Sequence, residues 1–169
     1  MFAKLFKNSD AFDPADMAAL PDLEASEQLV LLNRYLSYRK DHTGPSNDNG
    51  PIHQLLDSLS DKAVDAGGLS LEVANRALSA IDDIAALARL LERPTLGGLA
   101  AKRLCKLVPL ESTHEVNQHP RLFQARLQVA TASDIEPLSK QVTTAEQAAW
   151  LVIRAGAETK QQLMKMPLL

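Results

Sequence analysis

The segment LEVANRALSAIDDIAALARLL at residues 71–91 has a counterpart, LFQARLQVATASDIEPLSKQV, at residues 122–142, which lies 51 residues further along the chain. Self-similarity at a fixed period of a few tens of residues is typical of stacked helical units. Such units present surfaces to other molecules and seldom carry out chemistry by themselves. We therefore predict an all-α fold in which helical repeats form a right-handed stack, and an irregular helical bundle is the alternative. The identical positions are Leu71, Ala74, Asp83, Ile84 and Leu87, matched by Leu122, Ala125, Asp134, Ile135 and Leu138.

The spacing of apolar residues favours helices throughout both copies. One stretch is ambiguous, because Phe123, Ala125, Leu127 and Val129 also alternate with the period of two that is typical of a strand. We prefer a helix there, since an isolated strand would have no partner and the repeat register aligns this stretch with the helix near residue 75. In all we expect about eight helices, the repeated set lying at about 70–81, 83–93 and 95–108 and again at about 120–131, 134–142 and 144–158.

Turn-forming residues divide the chain into three parts. The stretch HTGPSNDNGP at residues 42–51 has no apolar side chain to bury and is rich in Gly, Pro and Asn, so it predicts an exposed, flexible loop. Residues 1–41 before it are predicted to form an arm and a helical hairpin, and residues 52–169 to form the repeat body. Because some forty residues are too few to hold a core alone, we expect one domain, 1–169.

The overall composition is that of an ordinary globular chain, with 46% hydrophobic and 23% charged residues. Aromatic residues make up 4%, so the core must consist mainly of Leu, Ala, Val and Ile, which suits close helix packing. Cys105 is the single cysteine, which excludes a disulfide framework within the chain and favours a cytoplasmic location. No apolar run approaches the roughly 18 residues that a membrane-spanning helix requires.

Charge is distributed unevenly along the chain. Residues 1–83 carry a formal charge of −7, and residues 84–169 carry +4. Arg89 and Arg93 are predicted to share a face of one helix, and Lys102 and Lys106 a face of the next. Together they predict a basic strip within residues 84–106 for a phosphate group, a nucleic acid or an acidic protein partner. The alternative is a solvated face that complements the acidic half of the chain.

The N-terminal segment carries a second candidate surface. Phe2 and Phe6 would lie on one side of a helical turn with Leu5, beside Lys4 and Lys7. Such a segment could dock on a partner or on a membrane surface. The alternative is a flap that packs on its own domain or a frayed terminus.

The sequence offers no convincing catalytic or metal-binding constellation. His114 and His119 are five residues apart, whereas two zinc ligands on one helical face are four apart. Cys105 has basic neighbours that would lower its thiol pKa, but its helix places it among leucines, so a small core residue is the simpler interpretation. Gly97 and Gly98 lack the spacing of a phosphate-binding loop and are interpreted as allowing a close approach between helices. We predict no catalytic residue, no metal and no cofactor, so the chain is not expected to be an enzyme.

Two phrases carry a resemblance to a known family. Residues 81–88, IDDIAALA, and residues 99–104, LAAKRL, resemble HEAT-like helical repeats, and in particular those at the start of some large, uncharacterised bacterial proteins. The resemblance covers about residues 70–160 and implies a HEAT/armadillo-like stack without catalytic residues. It implies a non-catalytic protein–protein interaction scaffold in a bacterial cytoplasm. The alternative is a nucleic-acid or phosphate-binding module that uses the basic strip, and neither the identity of a protein partner nor the oligomeric state is specified.

Overall fold

The computed structural model describes residues 12–42 and 49–165. This part of the chain is helical and contains no β-strand, so the predicted all-α fold is confirmed. The preference for a helix around residue 125 is also confirmed, because that stretch lies within a ten-residue helix. The described residues contain nine α-helices, which are α1 (Ala25–Asp41), α2 (Gly50–Ser58), α3 (Asp61–Asp65), α4 (Gly68–Ser79), α5 (Ile84–Leu90), α6 (Leu96–Leu107), α7 (Pro120–Val129), α8 (Ile135–Ser139) and α9 (Ala145–Lys165). The same described residues also include three 3₁₀ helices, at Pro14–Asp22, Glu115–Gln118 and Ala132–Asp134.

The chain divides between Asp83 and Ile84 into two compact units. This boundary coincides with the change in charge, so the N-terminal unit is acidic, at −7, and the C-terminal unit is basic, at +4. Each unit has its own set of buried apolar side chains. The organisation as one domain stays a prediction.

The first segment of the predicted N-terminal hairpin is a 3₁₀ helix, and α1 follows it. The Asp13 carboxylate accepts a hydrogen bond from the Ala15 N–H at 2.9 Å and caps the segment. Pro21 lies inside the segment, one residue before its end. A proline has no N–H to donate, so a regular α-helical hydrogen-bonding pattern cannot pass through this position.

The predicted loop at residues 42–51 is shorter than expected at its C-terminal side. Helix α2 already begins at Gly50, and Pro51 occupies its first turn, where a helix needs no backbone donor. Residues 43–48 of the loop lie outside the described residues. Phe2 and Phe6 of the predicted arm also lie outside them.

Arg39 ties α1 to the segment that follows α4. Its guanidinium donates to the Ala80 carbonyl and to the Asp82 carboxylate, the latter at 3.0 Å. The same group lies 5.8 Å from the centre of the Tyr35 ring, whose hydroxyl donates to Asn49 Oδ1 at 2.8 Å. Since α1 and α4 also pack side by side, these contacts fix both long helices of the N-terminal unit against each other.

Gly67, which lies between α3 and α4, adopts φ 83° and ψ −153°, a conformation that essentially only glycine populates. We expect Gly67→Ala to lower the free energy of unfolding of the N-terminal unit by about 1–2 kcal/mol. An added methyl group would meet no atom within 4 Å, so backbone strain rather than a clash is the cause. Gly156→Ala in α9, where the space is equally open and the backbone is helical, is the control and should not destabilise the protein. Denaturant unfolding measures both, and equal stability of the two variants would contradict the prediction.

Helix α7 lies at the centre of the C-terminal unit. It packs against α6 and α9, while α5 packs against α6 and α8 against α9. Phe123 of α7 is fully buried and clusters with Leu127, Leu138 and Leu151. The inner face of α7 is therefore buried in the core, and its outer face lies between α6 and α9.

The structure corrects one pair in the predicted basic strip. Helix α5 ends at Leu90, so Arg93 lies beyond the helix that carries Arg89. Pro94 explains the early end, because a proline disfavours helical backbone at the residue before it. The Arg93 N–H bonds instead to the Leu90 carbonyl, three residues back, at 2.9 Å. The second pair is as predicted, since Lys102 and Lys106 both lie on α6 and both are exposed.

Candidate functional site

The outer face of α7 is polar and lies between two grooves. Arg121, Gln124 and Gln128 follow one another at spacings of three and four residues, which places them on one side of the helix. Gln124 and Gln128 are exposed, whereas the intervening apolar residues of α7 face the core. Both glutamines line the groove with α6 and also the groove with α9.

The groove between α6 and α7 is polar and has a volume of about 430 Å³. Lys102 of α6 and Arg121 of α7 both line it, and no carboxylate is among its lining residues. Gly98, in the first turn of α6, also lines it, and a methyl group added there would meet no atom within 4 Å. This groove therefore presents two cations and two amides to a molecule that enters it.

The position of Arg121 is fixed by the backbone around it. Its Nη1 donates to the carbonyls of Arg93 and Pro94, the latter at 3.2 Å. Its own N–H donates to His119 Nδ1 at 3.2 Å, so this histidine caps α7. The other ring nitrogen, Nε2, lies 3.1 Å from Glu92 Oε1, and because Nδ1 accepts, Nε2 carries the proton and donates. His119 is thus a helix cap and not merely a surface loop residue.

The groove between α7 and α9 is apolar and has a volume of about 320 Å³. Trp150, Ile153 and Ala157 line it from α9, at spacings of three and four residues, and Leu127 lines it from α7. Ile153 is 70% exposed, so apolar surface at this edge of the groove faces the solvent. Trp150 is half-buried and packs against the core cluster around Phe123, so its ring is held in place as one wall of the groove.

Arg154 is the one charged residue that lines the apolar groove, and its charge is compensated. Its guanidinium donates to the Ala130 carbonyl at 2.6 Å and lies 2.7 Å from the Glu158 carboxylate. The pair spans one turn of α9, where Arg154 and Glu158 are both partly buried. The uncompensated positive charge beside α7 therefore lies on its α6 side.

A third cavity of about 170 Å³ is lined by Cys105, Arg126 and Asp134, together with apolar residues. Arg126 is 94% buried, at 6% exposure, and its Nη2 donates to the Val108 carbonyl at 2.7 Å. Among the described residues its Nε and Nη1 have no hydrogen-bond partner. Burial raises the pKa of the Cys105 thiol, and the Arg126 charge opposes that rise only in part. Burial therefore outweighs the opposing effect of the neighbouring cation on this thiol.

Asp134 offers a test of the local electrostatics at the start of α8. Its carboxylate accepts hydrogen bonds from the Thr131 N–H and from the Thr131 hydroxyl, both at 2.8 Å. These bonds hold the pKa of Asp134 below the ordinary 3.8, and the bond from the backbone N–H contributes more than the bond from the hydroxyl. A lowered folded-state pKa means stability that is present above pH 3.8 and is lost as the pH falls through the folded value. We expect Asp134→Asn to be less stable than the parent at pH 7, and the difference to be smaller at pH 2. Urea unfolding at both pH values measures this, and a difference that persists undiminished in acid would contradict it.

The predicted site residues are only partly brought together. Of the basic strip, Lys102 alone lines the polar groove, whereas Arg89 and Lys106 are exposed elsewhere and Arg93 contributes its carbonyl to Arg121. The residues that sequence reasoning missed are Arg121, Gln124, Gln128, Trp150 and Ile153. The spacing on α7 and that on α9 each indicate a shared face, and this signal could have identified both faces but not that they adjoin.

The described residues contain no group of three His, Cys, Asp or Glu side chains that could hold a metal ion. None of the helices in residues 12–42 and 49–165 has the length and apolar character needed to cross a membrane. Comparison of the chain with protein-family models, with curated proteins and with solved structures gave no significant match in any of the three.

Proposed function

We propose that the chain is a non-catalytic protein–protein interaction scaffold in the cytoplasm, and that α7 and α9 form its docking face. The observation that carries this proposal is the apolar groove between these helices, with Trp150 half-buried in its wall and Ile153 70% exposed at its edge. Apolar surface that borders polar residues marks interaction sites more often than single exposed side chains do. Trp is also among the residues that contribute most to protein interfaces.

The proposed architecture is a HEAT/armadillo-like stack, and the order of helices supports it. In chain order, the long α4 at the end of the N-terminal unit is followed by the short α5 and the long α6, and then by the long, short and long set α7, α8 and α9. Equivalent positions are buried alike in several cases, for example Ala74 and Ala125, and Leu87 and Leu138. Leu78 and Val129 depart from this pattern, because Leu78 is buried and Val129 is 72% exposed. Such stacks typically use their surfaces to bind partners.

Photo-crosslinking tests the docking face directly. A benzophenone amino acid would be placed at Ile153 in the full chain, and the matched control would carry it at Val152. Both positions lie on α9 and both are about 70% exposed, at 70% and 71%, but only Ile153 lines the groove. Irradiation in extract of the source cell should give discrete crosslinked species from position 153 and not from position 152. Trp150→Ala in the same chain should abolish them.

The proposal fails if both positions give the same crosslinked species or if neither gives any. Identical products would indicate non-specific contact along α9, and an absence of products would indicate that the groove is not an interface under those conditions. Circular dichroism of each variant would establish beforehand that the helices are intact, so that a lost crosslink reports on the groove.

A nucleic-acid or phosphate-binding module is the second candidate function. The observation that favours it is the pair Lys102 and Arg121 in a groove without a lining carboxylate. Phosphate contacts make binding strongly dependent on salt. If this function holds, retention on DNA or RNA at low salt should be lost or strongly weakened in Lys102→Glu and kept in Lys106→Glu, which lies outside the groove. An absence of retention at low salt would exclude it.

A further inference from the structure

We infer that the partner presents an amphipathic helix with one apolar and one acidic edge, which lies across the outer face of α7. This inference rests on the proposed function, because it names the partner of the same docking face. The apolar edge would occupy the groove between α7 and α9, and the acidic edge would lie over the groove between α6 and α7. An amphipathic helix in an apolar groove is a recurrent mode of recognition.

The two grooves meet at the same two side chains. Gln124 and Gln128 line both of them, so one ligand that covers this pair contacts a polar groove on one side and an apolar groove on the other. A helix with its side chains is about 10–12 Å across, which suits contact with both sides of a neighbouring helix. The glutamine amides can donate to and accept from polar groups along the middle of the ligand.

The distribution of charge requires an acidic edge on the ligand. Lys102 is exposed and Arg121 is half-buried in the polar groove, where no carboxylate lines the wall. On the other side, Glu158 compensates Arg154 at 2.7 Å, so the apolar groove adds no net charge. The positive charges of Lys102 and Arg121 therefore also determine that the acidic edge of the ligand is the one that faces α6.

An acidic peptide accounts for the surface better than a nucleic acid does. No aromatic side chain lines the polar groove, so bases would find no stacking platform there. Trp150, on which a base could stack, lines the apolar groove among aliphatic side chains and not the groove that holds the two cations. The combination of two cations with an adjoining apolar wall is matched by a helix that carries both carboxylates and leucines.

The test uses three synthetic helical peptides with the same leucine face. Their second edge carries only Glu, only Lys or only Gln, and none contains Trp. The chain has a single tryptophan, Trp150, so its fluorescence reports on the groove itself. The Glu peptide should change the Trp150 emission and should bind at least tenfold more tightly than the Lys peptide. Its affinity should fall as salt rises, because screening weakens contacts between exposed charges.

Matched variants locate each edge of the ligand. Lys102→Glu should weaken the Glu peptide about tenfold, whereas Lys106→Glu, one turn further along α6 and outside the groove, should change its affinity less than twofold. Ile153→Asp should weaken all three peptides, and Val152→Asp should not. A peptide of residues 1–11, MFAKLFKNSDA, carries lysines beside its apolar residues and should bind no better than the Lys peptide.

The outcomes separate this inference from the proposed function. Equal binding of the Glu and Lys peptides, or tighter binding of the Lys peptide or of residues 1–11, would overturn the acidic edge while the docking face stands. Binding of none of them, together with a crosslink from position 153, would overturn the helical ligand but not the scaffold. Displacement of the Glu peptide by single-stranded RNA at physiological salt would also overturn it, in favour of nucleic acid.

Discussion

Gly97→Ala is expected to lower the free energy of unfolding of the C-terminal unit by about 3 kcal/mol. A methyl group at this position would lie 2.5 Å from the Leu91 carbonyl oxygen and would collide with the Arg121 guanidinium. The Leu91 carbonyl belongs to the backbone and cannot move away from the added methyl group by itself, so the whole turn between α5 and α6 must shift. If Arg121 moved instead, its hydrogen bonds to the carbonyls that precede α6 would be lost.

The neighbouring glycine is the matched control for this substitution. A methyl group at Gly98 would meet no atom within 4 Å, and the backbone there is helical. Gly98→Ala should therefore leave the stability unchanged or raise it by up to about 1 kcal/mol, because alanine loses less conformational freedom in a helix. Urea unfolding followed by circular dichroism measures both variants. Equal stability of Gly97→Ala and Gly98→Ala would show that the close packing at Gly97 is absent.

The two glycines also illustrate what the sequence could and could not predict. A Gly-Gly pair in the first turn of α6 indicated a close approach, and the structure places that approach at Gly97 only. Gly97 faces the Leu91 carbonyl in the turn after α5, and the sequence pattern did not predict this turn because it extends α5 to Arg93, whereas the helix ends at Leu90. Local sequence patterns thus predicted the helices, but the turn between α5 and α6 determines that Gly97, and not Gly98, is closely packed.

The candidate site was less predictable than the fold for a related reason. Periodicity assigns a residue to a face of its own helix, and it identified Lys102 and Lys106 on α6 correctly. It does not say which faces of separate helices adjoin. Arg121 and Trp150 lie 19 and 48 residues from Lys102 in sequence, and only the packing of α7 against both α6 and α9 places them around the same two glutamines.

Arg126→Ala is expected to destabilise the C-terminal unit by about 3 kcal/mol, for a reason that no local pattern reveals. Arg126 Nη2 joins α7 to the end of α6 through the Val108 carbonyl, 18 residues away, at 2.7 Å. Its removal leaves that buried carbonyl without this donor and enlarges the cavity beside Cys105. Arg126→Met is the control, because it fills most of the space without a charge.

The comparison between the two Arg126 variants separates packing from charge. Nε and Nη1 have no hydrogen-bond partner among the described residues, so part of the cost of burying this cation is not recovered. Arg126→Met should lose about 1–2 kcal/mol, which is less than the loss for Arg126→Ala, because methionine keeps most of the packing but also leaves the Val108 carbonyl without its donor. In both variants the Cys105 pKa should rise further, because the cation that opposes the effect of burial is gone. The pH dependence of alkylation of Cys105 measures that shift, and an unchanged profile would mean that Arg126 does not act on the thiol.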